Sequence, residues 1–185
     1  MGLWADIRAC NACPLRSNMI CQPISGFTAI KNPDVMFISE SPGIDECLIE
    51  KPLQGLAGKL FDKMLAKAEI NRNNLYCTHL VKCSKKTGVL NKTETLFCSV
   101  TWLQKEIDLI KPNIVFTLGI LASKTLLKKK AINIADIVGQ EFLVDNLLII
   151  PMLHPNYLVR SSQKNVDKFV EILSKAKSKF PSLIW

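Results

Sequence analysis

The chain has 185 residues, 48% hydrophobic and 22% charged, a balance that excludes a disordered chain and suits one domain with a substantial core. Its 24 basic residues, 20 Lys and 4 Arg, exceed 16 acidic ones for a net charge of +8. Such an excess fits a polyanionic partner such as nucleic acid, and equally a Lys-rich surface of compositional or thermal origin. No apolar run approaches the roughly 20 residues of a membrane span, and the N-terminus lacks a signal-peptide pattern. A cytoplasmic monomer without a membrane partner is therefore expected. There, seven cysteines read as metal ligands or buried thiols and not as a disulfide framework.

Residues 1–33 form an N-terminal extension carrying a C-x-x-C pair, Cys10 and Cys13. Val35–Ser39 is the first short, nearly continuous apolar run; it ends on Glu40 and breaks into Ser41-Pro42-Gly43. A helical stripe follows at Leu56, Leu60, Phe61, Met64, Leu65 and Ala68, headed by the glycine-rich Gly55-Leu56-Ala57-Gly58-Lys59. Leu75–Leu80 is a second strand, carrying Cys77 as a core thiol and His79 near its end, with Cys83 just beyond. Thr93 is the expected cap of a long helix to Ile110, striped by Leu96, Val100, Leu103, Ile107 and Ile110, with Cys98 inside and Pro112 as the stop. Ile114–Leu118 and Leu147–Met152 are further strands, with helices over 121–129 and 165–179.

Strand–helix alternation predicts a three-layer α/β/α sandwich around a mainly parallel four-stranded sheet, with right-handed crossovers. Ligands then sit beyond the carboxyl ends of the strands. Those ends read SESPG, THLVKC, LG and LHPNYLVR, and two of them hold the only histidines, His79 and His154. On residue chemistry alone Glu40 is an acid catalyst or a helix cap, and either histidine is a ligand group or a packed turn residue. Glycine-rich turns at helix starts bring backbone N–H groups close to phosphates, or simply allow tight packing. Cys10, Cys13, Cys83 and Cys98 make a four-sulfur set that zinc or an iron–sulfur cluster accepts, with Cys21 as the substitute if one of the four is wrong.

Taken together, C-N-A-C, S-E-S-P-G, P-L-Q-G-L-A-G, H-L-V-K-C, Cys98, L-G and H-P-N-Y-L-V-R resemble the ordered motifs of the family 4 uracil-DNA glycosylases. The likeness runs from about Cys10 to Arg160. It implies a monofunctional glycosylase of base excision repair acting on DNA that contains uracil or another deaminated base. It favours a 4Fe–4S cluster over zinc on Cys10, Cys13, Cys83 and Cys98. Glu40 then orients the attacking water and stabilises the sugar cation, while His154 donates to uracil O2. Ser41, Pro42, Gly43, Leu53 and His79 surround the base. Gly55, Gly58 and Lys59 meet the DNA backbone, as do Arg160 and Lys164; Pro155, Asn156, Tyr157 and Leu158 enter the minor groove. Three departures stand out: Leu53 for a stacking Phe, with Phe37 or Phe61 as candidate replacement rings; His79 for Asn; and Ser39 for Gly. The first two open the alternatives of altered base choice, hypoxanthine for example, or an idle damage-binding protein.

Overall fold

Hydrophobic side chains on both faces force Val35–Ser39, Tyr76–His79 and Ile114–Leu118 into the interior, where every residue is buried. A computed structural model describes residues 2–86 and 89–185. In chain order it contains α1 (Leu3–Arg8), β1 (Val35–Ser39), α2 (Ile44–Ile49), α3 (Gly55–Lys67), β2 (Tyr76–His79), α4 (Lys92–Cys98), α5 (Gln104–Ile110), β3 (Ile114–Leu118), α6 (Ile120–Leu126), α7 (Ile134–Ile137), β4 (Phe142–Val144), β5 (Leu147–Met152), α8 (Pro155–Leu158) and α9 (Gln163–Lys179). The sheet order is β2-β1-β3-β5-β4. The four predicted strands are parallel, and β4 adds a fifth, antiparallel edge.

That fifth strand was not anticipated. It pairs Val144 with Leu147 across Asp145 and Asn146, which adopt φ of +49° and +65°. Two left-handed residues in a two-residue loop are the signature of a hairpin turn whose twist matches the strands.

Two apolar cores lie on opposite faces of the sheet. One gathers α3 and α9 residues around Phe37 and Phe116; the other gathers Leu103, Ala122 and Ile137 around Met36, Ile38 and Val115. The long helix after β2 departs from expectation. Asn91, not Thr93, caps it: its side chain accepts from Glu94 N–H while Glu94 returns a bond to Asn91 N–H. A π turn over Ser99–Leu103 interrupts it before α5, shifting the helical phase. Leu96 and Val100 consequently face solvent, whereas Leu103 is buried. The α3 stripe similarly loses Leu56, which is exposed, and keeps Phe61, Met64 and Leu65.

The N-terminal extension lies against the outer edge of β2. Phe27 and Cys77 exchange backbone bonds of 2.9 and 3.0 Å, Ile24 N–H reaches Lys82 O at 2.8 Å, and Ile20 N–H reaches Ser84 O at 3.1 Å. Cys21 and Cys47 form a disulfide, which corrects the expectation of free thiols: residues 26 apart meet because α2 folds back onto the extension. Among the described residues no helix is long and apolar enough to cross a membrane.

Candidate active site

Parallel strands end on the same side of a sheet, so the tips of β1, β3 and β5 converge. Gly119, directly after β3, marks the meeting point. A Cβ placed there would lie 2.9 Å from Glu40 Oε1 and 3.3 Å from His154 Cβ. The acid after β1 and the imidazole after β5 thus flank one backbone gap, which the missing side chain of Gly119 (φ +93°) keeps open. Glu40 Oε1 accepts from Leu121 N–H at 3.2 Å. Burial raises the Glu40 pKa above its ordinary value, and the Leu121 bond offsets part of that rise.

His154 caps α8. Its Nδ1 accepts from Asn156 N–H at 3.0 Å, which leaves the ring hydrogen on Nε2. Burial pushes its pKa down to about 4. The group is therefore a neutral donor at physiological pH, suited to an oxygen that gains negative charge.

His79 is 2% exposed. Its Nδ1 lies 2.5 Å from Ser39 Oγ, and its Nε2 is buried without a protein partner among the described residues. Burial, then the nearby Lys82 and His154, hold its pKa well below the usual imidazole range. Lys82 belongs to an ion pair that residue patterns did not reveal. Its Nζ donates to Glu106 Oε2 at 2.5 Å, to Thr78 Oγ1 at 2.7 Å and to His79 O at 2.6 Å, with both charged side chains essentially inaccessible. Glu106 Oε1 accepts from Gly26 N–H at 2.9 Å. The lysine of the H-L-V-K-C segment is thus a strut beneath His79.

Leu53 adopts φ +56° and is buried in the core. Arg72 Nη2 holds its carbonyl at 2.7 Å and that of Pro52 at 2.9 Å. Neither expected replacement ring is available. Phe37 stacks on Phe116 at 4.8 Å and meets Phe61 edge-on at 5.0 Å, and both rings are fully buried. Gly55 and Gly58 are close-packed: a Cβ would lie 1.9 Å from Asp45 Oδ2 at the first and 2.2 Å from Leu53 O at the second. Between Ser41-Pro42-Gly43 and Leu53 sits Glu46, also missed in sequence. Gly43 N–H donates to its Oε2 at 2.8 Å and Gln54 N–H to its Oε1 at 2.7 Å. One carboxylate thereby ties the acidic loop to the glycine-rich loop. Glutamate three residues after a helix cap was the available signal.

Beyond His154, Pro155 and Leu158 are buried, whereas Asn156, Tyr157, Arg160 and Lys164 are exposed, as is Lys59 at the start of α3. Leu158, expected in the groove-entering loop, belongs to the core at 1% exposure; Tyr157, at 59%, is the projecting side chain. A short helix turns residues three apart to the same face, so Pro155 and Leu158 go inward together.

Cys10, Cys13, Cys83 and Cys98 line one small cavity, with Trp102 and Lys82 beside them. Trp102 Nε1–H points to Cys10 Sγ at 3.2 Å and Lys82 N–H to Cys98 Sγ at 3.3 Å. Donors of this kind orient and stabilise ligating thiolates. Burial and the neighbouring thiols push Cys83 up to about 12 and Cys98 up to about 11. Among the described residues no group of three or more His, Cys, Asp or Glu is disposed to hold a single metal ion. Cys21, the reserve ligand, is taken by the disulfide, and Cys77 is in the core.

Residues 25–177 match the model of the uracil DNA glycosylase superfamily. The chain is 28% identical over 177 residues to a type-4 uracil-DNA glycosylase of Thermotoga maritima, covering 93% of this chain and 90% of that one. It is 29% identical to the type-4 enzyme of Saccharolobus solfataricus (81% and 72% covered) and 27% identical to that of Pyrobaculum aerophilum (72% and 69%).

Proposed function

Because the chain belongs to the uracil DNA glycosylase superfamily, we propose that it hydrolyses the N-glycosidic bond of uracil in DNA, the first step of base excision repair. The observation that carries this reading is the pairing of Glu40 and His154 across Gly119. The target nucleotide leaves the stack and enters the site. As the C1′–N1 bond breaks, negative charge collects on the departing base and positive charge on the sugar. His154 Nε2–H donates to uracil O2 and stabilises the anion. The Glu40 carboxylate stabilises the sugar cation and orients water, whose oxygen bonds to C1′ while its proton passes to solvent or to the leaving base. Lys59, Arg160 and Lys164 hold flanking phosphates, and Tyr157 enters the opened stack. Ser41, Pro42, Gly43 and Leu53 wall the base.

Cys10, Cys13, Cys83 and Cys98 would hold a 4Fe–4S cluster. Four thiols line one cavity, and two of them accept N–H hydrogen bonds, which suits thiolate ligands of such a group. When bound it supplies a cross-link between the N-terminal extension and the segment after β2, contributing to folding stability.

A labelled strand containing one uracil, treated with the protein and then hot alkali, should break at that position. Hypoxanthine and xanthine strands run alongside report base choice. An intact uracil strand refutes the proposal, and tight binding without base release would instead mark a damage-binding protein.

A further inference from the structure

Ser39 and His79 are paired residues in the β1–β2 register, and both depart from the motif residues of the family, Gly and Asn. Their side chains form one unit. Ser39 Oγ lies 2.5 Å from His79 Nδ1 and 3.3 Å from Thr78 O. A hydroxyl has a single hydrogen, and a carbonyl can only accept. Both contacts are hydrogen bonds only if Ser39 donates to Thr78 O and His79 Nδ1–H donates to Ser39 Oγ. The opposite assignment sets two acceptors, Ser39 Oγ and Thr78 O, against each other.

With its hydrogen on Nδ1, the imidazole presents a bare lone pair at Nε2. That atom is buried and has no partner among the described residues. A buried polar atom left unpaired is destabilising, and a ligand hydrogen would relieve it. His154 has the complementary form, accepting at Nδ1 and donating from Nε2. The two imidazoles present one donor and one acceptor, and adjacent O2 and N3–H atoms of a pyrimidine-2,4-dione offer the matching pair.

We infer that Ser39 fixes His79 in its Nδ1–H tautomer, so that His79 Nε2 accepts N3–H of the extruded base and selects uracil at N3, leaving position 4 unread. This rests on the glycosylase reading above. Cytosine is rejected because its N3 lone pair faces that of Nε2. Ser39 is a positioning residue and His79 the specificity residue.

Long-range nitrogen–proton NMR on labelled protein reads the tautomer without any reaction. The chain has only two histidines, so a spectrum of the His79→Asn protein assigns both. His79 should carry its hydrogen on Nδ1 and His154 on Nε2; a His79 protonated on Nε2 overturns the inference, whether or not the protein releases uracil. In Ser39→Ala the His79 signal should move towards a mixture of tautomers. On uracil DNA, Ser39→Ala should lower kcat/KM about tenfold, the worth of one such bond. The same change made beside His79→Asn should alter it less than about twofold. Equal losses in the two backgrounds would show Ser39 acting independently of His79. Absence of base release by the unmodified protein would overturn the enzymatic reading alone, since the tautomer is still decided by NMR.

Discussion

Replacing Lys82 by Met removes one half of a charge pair whose side chains are 1% and 0% exposed. The Glu106 carboxylate keeps two donors, Thr78 Oγ1 at 2.8 Å and Gly26 N–H at 2.9 Å, but loses its counter-charge where water cannot compensate. Breaking a buried pair this way costs about 3–5 kcal/mol. For a domain of this size each kcal/mol lowers Tm by about 2–4 °C, giving a fall of roughly 6–20 °C. Lys82→Met/Glu106→Leu removes the stranded charge yet still orphans Gly26 N–H and Thr78 Oγ1, so it should recover about 2 kcal/mol of the single-variant loss. Urea unfolding followed by tryptophan fluorescence measures the unmodified protein, the two single variants Lys82→Met and Glu106→Leu, and the double variant. A loss below about 1 kcal/mol for Lys82→Met refutes the reasoning, as does a double variant as unstable as the sum of the two singles. Because Lys82 Nζ also holds His79 O, the single variant should lose base-excision activity at temperatures where it is still folded.

The acid limb of activity should have its midpoint above the ordinary carboxylate value, because burial raises Glu40 and the ionised form is the working one; Glu40→Gln should lose about a hundredfold or more and flatten that limb, and a limb surviving the change points to another group. His154, whose pKa is lowered to about 4, and His79, lowered also, favour the folded state above their unfolded value of about 6.5, so stability should fall as pH drops from 6.5 towards 4; urea midpoints that rise over that range would contradict the assignments. Gly119→Ala adds a Cβ 2.9 Å from Glu40 Oε1 where the backbone, at φ +93° and ψ 172°, suits glycine, costing about 1–3 kcal/mol of stability and lowering kcat at least tenfold with little change in KM. Cys98→Ser should abolish broad visible absorbance and lower Tm, whereas Cys77→Ser should leave the absorbance intact; stoichiometric zinc without iron would overturn the cluster.

The parts of this structure legible in sequence were those with continuous burial. Val35–Ser39 and Ile114–Leu118 are buried along their whole length, with Glu40 directly after the first and Gly119 directly after the second. β4 escaped because three residues, two half-buried around an exposed Leu143, are too few to carry a periodic signal, although Asp145-Asn146 was a usable turn mark. Glu106 escaped for a different reason. A charge inside a helical pattern is usually solvated, and only the fold brings Lys82 from another segment to meet it. The same holds for Cys21 and Cys47, whose pairing depends on where α2 lands. Leu158, expected beside Tyr157 in the groove-entering loop, turned inward because a four-residue helix sets side-chain direction that a motif string does not encode.

The strip of extension lying along β2 protects the molecule from its own kind. A parallel sheet must expose a row of unsatisfied amides and carbonyls at its margin unless something covers them. Here Phe27, Ile24 and Ile20 occupy that margin, while the opposite margin ends in a strand of only three residues. Ile20→Pro with Ile24→Pro keeps Cys10, Cys13 and Gly26 but removes two of these bonds, leaving the Lys82 and Ser84 carbonyls as a template for a neighbouring copy. Light scattering should then find concentration-dependent clumping in a protein whose catalytic groups are all still present.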